Sequence, residues 1–581
     1  MPWTNDAIAR LFENMAGLLE LKGENVFKIR AYQRAARAIE QHPEPLELLV
    51  KEGREEDLRA IPGVGEAIAS KIVELVQTGK VQAYEQLKAQ FPPGVLTLME
   101  IPGIGPKTAL RLVQELGVQT LEDLEQAILD GRVASLPRLG PKSAENILKA
   151  LQATRRKETR IPLGQALPVA EAVVYALKER LPSITEALPV GSIRRWRDTV
   201  GDIDIMVVAP QSQEVIDTFV RLPLVAQVLA HGPKKGSVLV HQGLQVDLRV
   251  VDADAFGSML QYFTGSKQHN ILLRDYANRK GLSLSEYGIT DLKSGHLEKF
   301  PTEEGFYARL GLPWIPPELR EGLMEIERAE QGTLPHLVRL EDIKGDLQMH
   351  TDWSDGQASA EAMVATAKAL GYEYIAITDH SQGLGVARGL TPERLAEQKR
   401  LLQALEVRYG IRVFHGAEVD IRADGSLDLP DEALAQLDLV VASVHTSLQQ
   451  PREKMTQRVI RALRNPYVTI LGHPTSRLLG EREPIDIDLE AVFRAALQTG
   501  VALEINASPQ RLDLKDTHIF RAREVGIPLV ISTDAHSTEG LRAMRFGVGQ
   551  ARRGWCEASA ILNTRPLRDL EQWLTQRRRA S

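Results

Sequence analysis

Two aspartates one residue apart, Asp202 and Asp204 in the run GDIDIMVVA, are the most informative residues in the first half of the chain. Read as a strand, the run turns both side chains to one face. Two carboxylates held that close repel each other unless cations lie between them, an arrangement suited to two-Mg²⁺ phosphoryl transfer. A third acid is expected from another strand, and Asp247 in QVDLRVV supplies it. Upstream, Gly191 and Ser192 open the stretch GSIRRWRDTVGDID like a turn that holds a triphosphate, and Arg195 offers a fork-shaped cation to phosphate oxygens. Acids at strand ends are by default only solvated; it is these neighbours that argue for chemistry.

A second set of candidates fills the last third. Six apolar runs each end in a potential ligand: DLQMHTDWSD, YIAITDHS, RVFHGAEVD, LVVASVHTS, VTILGHPT and LVISTDAHS. A lone histidine is more often structural than a ligand, but six successive strand ends converge if the strands form a parallel barrel. Oxygen and imidazole ligands brought together in this way build divalent-metal hydrolase sites.

A third pattern recurs near the start: IPGVGEAIASKI at 61–72, IPGIGPKTALRL at 101–112 and LPRLGPKSAENI at 136–147. Each glycine-bearing turn leads into a helix whose first N–H groups stay free for a phosphate oxygen. Gly63 and Gly65, then Gly103 and Gly105, make two good copies, while Arg138 in place of the first glycine weakens the third. An ordinary turn between packed helices is the plain alternative, and repetition counts against it.

The elements that must position these residues divide the chain. Helical spacing runs from Thr4 to about Ala150; strand-length apolar runs then alternate with helices, and after a Pro-rich boundary at 313–335 they alternate to about Trp573, as in parallel βα units. The 581 residues allow three or four domains. One cysteine, Cys556, excludes an internal disulfide and leaves His, Asp and Glu as the metal ligands. No stretch approaches the ~20 apolar residues of a membrane span, so a cytoplasmic protein with no membrane partner is expected. The net charge of −6 argues weakly against nucleic acid, although charge averaged over several domains says little.

GSIRR followed by GDID resembles the nucleotidyltransferase signature of family X DNA polymerases, relatives of polymerase beta. YFTGSKQHN at 262–270 resembles that family's nucleotide pocket, and EEGFYARLGLPWIPPELRE its thumb and bacterial ending. The resemblance implies that Asp202, Asp204 and Asp247 bind two Mg²⁺ or Mn²⁺ ions, with Asp247 nearest the primer 3′-OH. It places Gly191, Ser192, Arg195, Gly201, Tyr262, Phe263, Gly265 and Asn270 around the incoming dNTP. Gln245 departs from the pattern, where the polymerase beta branch has Arg. The N-terminal helices resemble the family's lyase and DNA-binding domain: Lys71 matches its Schiff-base lysine and Lys28 and Tyr32 the 5′-phosphate site, while Ala67 stands where vertebrate relatives carry a second lysine. The glycine repeats look like helix-hairpin-helix motifs, which grip the DNA backbone.

The C-terminal motifs look like the PHP phosphoesterase family, a distorted βα barrel with three metals. Its pattern implies Gln348, His350, Glu418 and Asp534 around a first ion, Glu418 bridging to a second held by His445 and His473, and Asp355, His380 and His536 around a third. Gln348 replaces the usual His; its amide oxygen is a weaker zinc ligand than imidazole and suits Mn²⁺ or Mg²⁺ better, so the three ions are expected to be Mn²⁺ or Zn²⁺. The expected architecture is a helical DNA-binding and lyase-like domain (1–90), helix-hairpin-helix fingers (91–153), an α/β palm (154–253), a thumb (254–320), a linker (321–339) and a PHP domain (340–575). The implied activity is gap-filling DNA synthesis in base excision repair on gapped or primer-template DNA, by a monomer. The PHP domain would act as a 3′-5′ exonuclease, AP endonuclease or 3′-phosphatase. A PHP domain that is only structural is the alternative.

Overall fold

The computed structural model describes residues 3–580 except 4, 41–45, 52, 62, 100, 102–103, 137–138, 146, 149–150, 152–159 and 384. The chain forms two units, Met1–Arg160 and Ile161–Ser581.

The first unit is helical. Apolar residues at three- and four-residue spacing in the helices Asn5–Leu21, Val26–Glu40 and Glu66–Thr78 meet in one core around Phe12, Leu18, Ile39 and Ile72. Gly63 has φ +89°, and a Cβ there would lie 3.3 Å from the backbone nitrogen of Ala35, so the first hairpin turn needs glycine. Gly65 and Gly105 are the N-caps of Glu66–Thr78 and Pro106–Leu116, and both leave the first helical N–H groups without a side-chain cap.

The second unit begins with a five-stranded sheet in the order Glu186–Pro189, Ile203–Val208, Gln245–Val251, Lys235–Val240, Val225–His231. Only Ile203–Val208 and Gln245–Val251 pair in parallel, with Asp204 opposite Asp247. Period-two alternation separates the faces: Ile203, Ile205 and Val207 enter the core against the helix Leu163–Arg180, while Met206 and Val208 pack with Val190 and Leu260 on the face that carries Asp204. The helices Phe256–Thr264 and Lys267–Arg279, a small antiparallel sheet and the helix Glu303–Arg309 follow.

The stretch 321–339, expected as a linker, is packed instead. Buried Glu325 bonds His269 at 2.7 Å, and the Val338 N–H donates to the Cys556 carbonyl at 2.9 Å. Leu337 and Trp555 join the core of the preceding helices, which is why this segment stays with them.

Seven parallel strands make the last part: Gly345–Asp346, Tyr374–Ile377, Arg412–Asp420, Leu439–Ser443, Ile470–Leu471, Ala502–Asn506 and Leu529–Ser532, in sequence order. Helices cover them outside, so both faces are buried and the strands read as continuous apolar runs. Just past the outermost strands a parallel bridge joins Met349 to Ala535, and the His350 N–H donates to the Ala535 carbonyl at 2.8 Å. The ring nearly closes, and it does so at the ends where the ligand residues sit.

Candidate active sites

In the five-stranded sheet, Asp202 lies one residue before the strand Ile203–Val208 and Asp204 within it. Registered neighbours on adjacent strands are about 4.8 Å apart, so Asp204 and Asp247 project side by side. Burial, then the charges of Asp202 and Asp247, push the Asp204 carboxyl up to about 7. Lys235 and Arg249 oppose this; neither stood out in the sequence. Gln245 donates to Asp247 Oδ1 and to the Ser237 hydroxyl, each at 3.2 Å, so a neutral amide holds that carboxylate.

Gly191 has φ +64°, and a Cβ there would stand 3.6 Å from Asp204 Oδ2, so the turn with Ser192 runs directly over the acids. Gly201 ends the same loop, with nothing within 4 Å of a Cβ built there. Tyr262 and Phe263 are edge-to-face at 5.2 Å, and the Arg249 guanidinium lies 4.7 Å over Phe263. Asn270 donates to the Tyr262 carbonyl and accepts from Gln261, fixing the turn that contains Gly265.

Arg195 departs from expectation. Its Nε donates to Glu321 at 3.0 Å and its Nη1 to the Thr264 carbonyl, so the fork points inward. The reason is Glu321, buried against Arg553 as well, which needs cations around it. Neighbouring Arg194 pairs with Glu303, which also takes Arg320 and the Trp314 indole.

In the first unit, Lys28, Tyr32, Gly63, Gly65 and Lys71 line one open cleft of about 970 Å³. Lys28 pairs with Glu24 at 3.0 Å, and Lys71 Nζ donates to the Ala67 carbonyl at 2.9 Å. Gly103 lies outside the described residues.

At the barrel mouth, Glu418 is the hub. Its Oε1 lies 2.9 Å from His473 Nε2 and 3.3 Å from His445 Nε2; its Oε2 lies 3.3 Å from His380 Nδ1 and 3.4 Å from His350 Nε2. His350 Nε2 is also 3.1 Å from Asp534 Oδ1, while Asp355 lies 3.5 Å from His380 and 3.4 Å from His536. Among the described residues three candidate ligand groups emerge: His350, Glu418 and Asp534; His380, Glu418 and His445; and His350, Asp355, His380 and His536. His350 and His380 thus each face two of them, a sharing that motif order did not reveal.

The spacing suits cations. Two atoms bound to one ion at about 2.1 Å and 90–109° lie roughly 3.0–3.4 Å apart. His350 Nε2 keeps such distances from two carboxylates without forming a hydrogen bond to either. Both amide atoms of fully buried Gln348 and Nδ1 of His473 also find no partner among the described residues. Burial alone would lower His445, but Glu418 and Asp420 outweigh it and hold the imidazole at about 9. Burial would raise Glu418; His445, His380 and His350 drive it well below its usual value. Cation binding would compete with protons for these groups.

Several positioning residues were not read from the sequence. Asp420 accepts from His445 Nδ1 at 2.5 Å. Asp379 accepts from Thr351, Ser354 and Gln398, fixing the loop between His350 and Asp355. Glu504, on the strand Ala502–Asn506, accepts from the His473 backbone at 2.6 Å, and burial with Asp534 nearby raises its carboxyl well above the usual range. Asp420 stands two residues after Glu418 on one strand face, a period-two signal that could have found it.

Matches to known families follow the same divisions: a helix-hairpin-helix domain at residues 3–81, a SAM-like helix-hairpin-helix tandem at 95–153, the DNA polymerase beta thumb at 259–321 and a PHP domain at 346–508. A DNA polymerase lambda of Arabidopsis thaliana is 27% identical over 55% of this chain and 62% of its own length. A probable phosphatase of Thermoanaerobacter sp. (strain X514) is 29% identical over 36% of the chain and 84% of its own length. The DNA polymerase/3′-5′ exonuclease PolX of Bacillus subtilis (strain 168) is 41% identical over 98% of both chains. That identity from end to end, with a polymerase beta thumb and a PHP domain matched on one chain, means that the chain belongs to the family X DNA polymerases that carry a PHP domain.

Proposed function

We propose that this enzyme fills short gaps in DNA at Asp202, Asp204 and Asp247 and trims DNA 3′ ends at the cluster around Glu418. The observation that carries the reading is the coexistence of two separate carboxylate sites, one in parallel register across a sheet and one ringed by histidines. Divalent cations, Mg²⁺ or Mn²⁺ at the first site and up to three Mn²⁺ or Zn²⁺ at the second, would neutralise phosphate charge and activate the attacking oxygen.

In the polymerase site Asp202 and Asp204 would hold both ions, and Asp247, kept in place by Gln245, would face the primer 3′-OH. Gly191 and Ser192 would cradle the dNTP triphosphate with backbone N–H groups, and Tyr262, Phe263, Gly265 and Asn270 would flank its sugar and base. Arg195 would act from behind, by fixing the Thr264 carbonyl. In the PHP site Gln348, His350, Glu418 and Asp534 would surround one ion, His445 and His473 a second, and Asp355, His380 and His536 a third. The two N-terminal glycine turns would grip the backbone of gapped or primer-template DNA, and Lys71 would serve as lyase nucleophile in the cleft shared with Lys28 and Tyr32.

A second reading makes the PHP domain a brace only. Buried Gln348 at a ligand position and the contacts from the PHP helix Met544–Arg553 to Arg195 and Trp196 favour it. A gapped duplex with a labelled primer separates the readings when wild type, Asp202→Ala and His445→Ala are compared with Mg²⁺ or Mn²⁺, with and without dNTPs. Loss of extension alone in Asp202→Ala and of shortening alone in His445→Ala supports two working sites. A wild type that extends but never shortens or dephosphorylates an end leaves only the brace.

A further inference from the structure

The loop that follows the strand Ala502–Asn506 is held more firmly than a surface loop requires. The Ser508 N–H donates to the Asn506 side chain at 3.0 Å, the Arg511 and Leu512 N–H groups donate to the Ser508 carbonyl at 2.8 and 3.0 Å, and Leu512 has φ +44°. Arg477 then donates through Nε to the Arg511 carbonyl at 3.0 Å and through Nη2 to the Leu512 carbonyl. What this frame presents is the Arg511 side chain.

The Arg511 guanidinium stands at the cluster itself. Its Nε is 3.5 Å from Asp534 Oδ2, a loose pairing. Nη1 is buried and meets no acceptor among the described residues. A buried N–H without a partner is costly, and the buried guanidiniums of Arg320 and Arg477 have theirs matched to carboxylates and carbonyls. The side chain as a whole keeps 17% exposure.

From this we infer that Arg511 grips the non-bridging oxygens of the phosphate to be hydrolysed. An anionic phosphoester entering a site with Asp355, Glu418, Asp534 and Glu504 needs positive charge on the flank that cations leave uncovered, and a guanidinium offers it as paired hydrogen bonds. Arg511 forms and breaks no covalent bond. Water adds to phosphorus, the P–O3′ bond breaks, one proton of the water ends on O3′ of the shortened strand, and the nucleotide leaves with a 5′-phosphate. The inference rests on the phosphoesterase reading of the cluster, and it adds a substrate contact to a set of metal ligands.

The test uses the full chain loaded with Mn²⁺, in wild-type, Arg511→Ala and Arg511→Lys forms. Inorganic phosphate binding is measured by calorimetry, bound metal by mass spectrometry, and kcat and KM on a 3′-labelled oligonucleotide. Arg511→Ala should keep its metal, bind phosphate about tenfold or more weakly, and cut about 100-fold more slowly, with Lys restoring part of the phosphate binding. Wild-type phosphate affinity and rate in Arg511→Ala would overturn the proposal. So would a loss of metal that parallels the loss of rate, since Arg511 would then only brace Asp534. A wild type that binds phosphate through Arg511 yet cuts no DNA end would sink the nuclease reading and leave the phosphate grip standing.

Discussion

Replacing Asp204 with Asn is expected to stabilise the metal-free protein while abolishing nucleotide transfer. Burial and the charges of Asp202 and Asp247 raise the Asp204 carboxyl from an ordinary 3.8 to about 7. In the unfolded chain this group is ionised above about pH 4, whereas in the folded chain it keeps its proton until about pH 7. Between those values the folded state binds the extra proton, so stability is fullest below the unfolded value and falls as pH rises through 7. At about 1.36 kcal/mol for each pH unit, the loss above pH 7 reaches at most about 4 kcal/mol. Asn has the shape of the protonated acid and no charge to lose. Calorimetric unfolding of both proteins in EDTA, from pH 4 to 8.5, should therefore show their difference small at pH 4, about 1.6 kcal/mol at pH 5 and about 4 kcal/mol in favour of Asn above pH 7, where it levels off. Added Mg²⁺ or Mn²⁺ should reverse the order, because only Asp binds the cation. Equal stabilities at pH 8 without metal, or a difference that does not change with pH, would refute the argument that the three acids repel.

Three other perturbations address the second site and its link to the first. Asp420→Asn takes away the carboxylate that orients His445 and should weaken metal binding about 10- to 100-fold, with primer extension unchanged; chelator competition reads the first and a gap-filling assay the second. Gln348→His puts an imidazole where two buried amide atoms have no partner, and should shift preference from Mn²⁺ toward Zn²⁺ in a metal competition experiment; an unchanged ratio would mean that residue 348 touches no ion. Asp198 and Arg477 pair at 2.9 Å with little exposure, joining the loop before Asp202 to the PHP domain. Replacing either by Ala should cost about 3 kcal/mol of stability by stranding the other charge, and the double variant should be less destabilised than the sum of the two, as a thermodynamic cycle would measure.

Much of the chemistry was legible because it is written locally. Asp202 and Asp204 share a face through strand periodicity, the two IPGxG turns announce helix N-termini, and six apolar runs ending in His, Asp or Glu predict a parallel barrel with ligands at one end.

The sequence by itself determined the donor types, their spacing along each strand and the fold that collects them, since each depends on residues a few positions apart. Only the tertiary structure decided which donors stand close enough to share an ion, with His350, His380 and Glu418 each in two groups. It also turned Arg195 inward to Glu321, packed 321–339 against its neighbours and set Arg511 beside Asp534 with an idle N–H. These partners lie tens to hundreds of residues apart, as Asp198 and Arg477 do. A buried charge takes whatever counter-charge folding brings within about 4 Å, and no local pattern records that meeting.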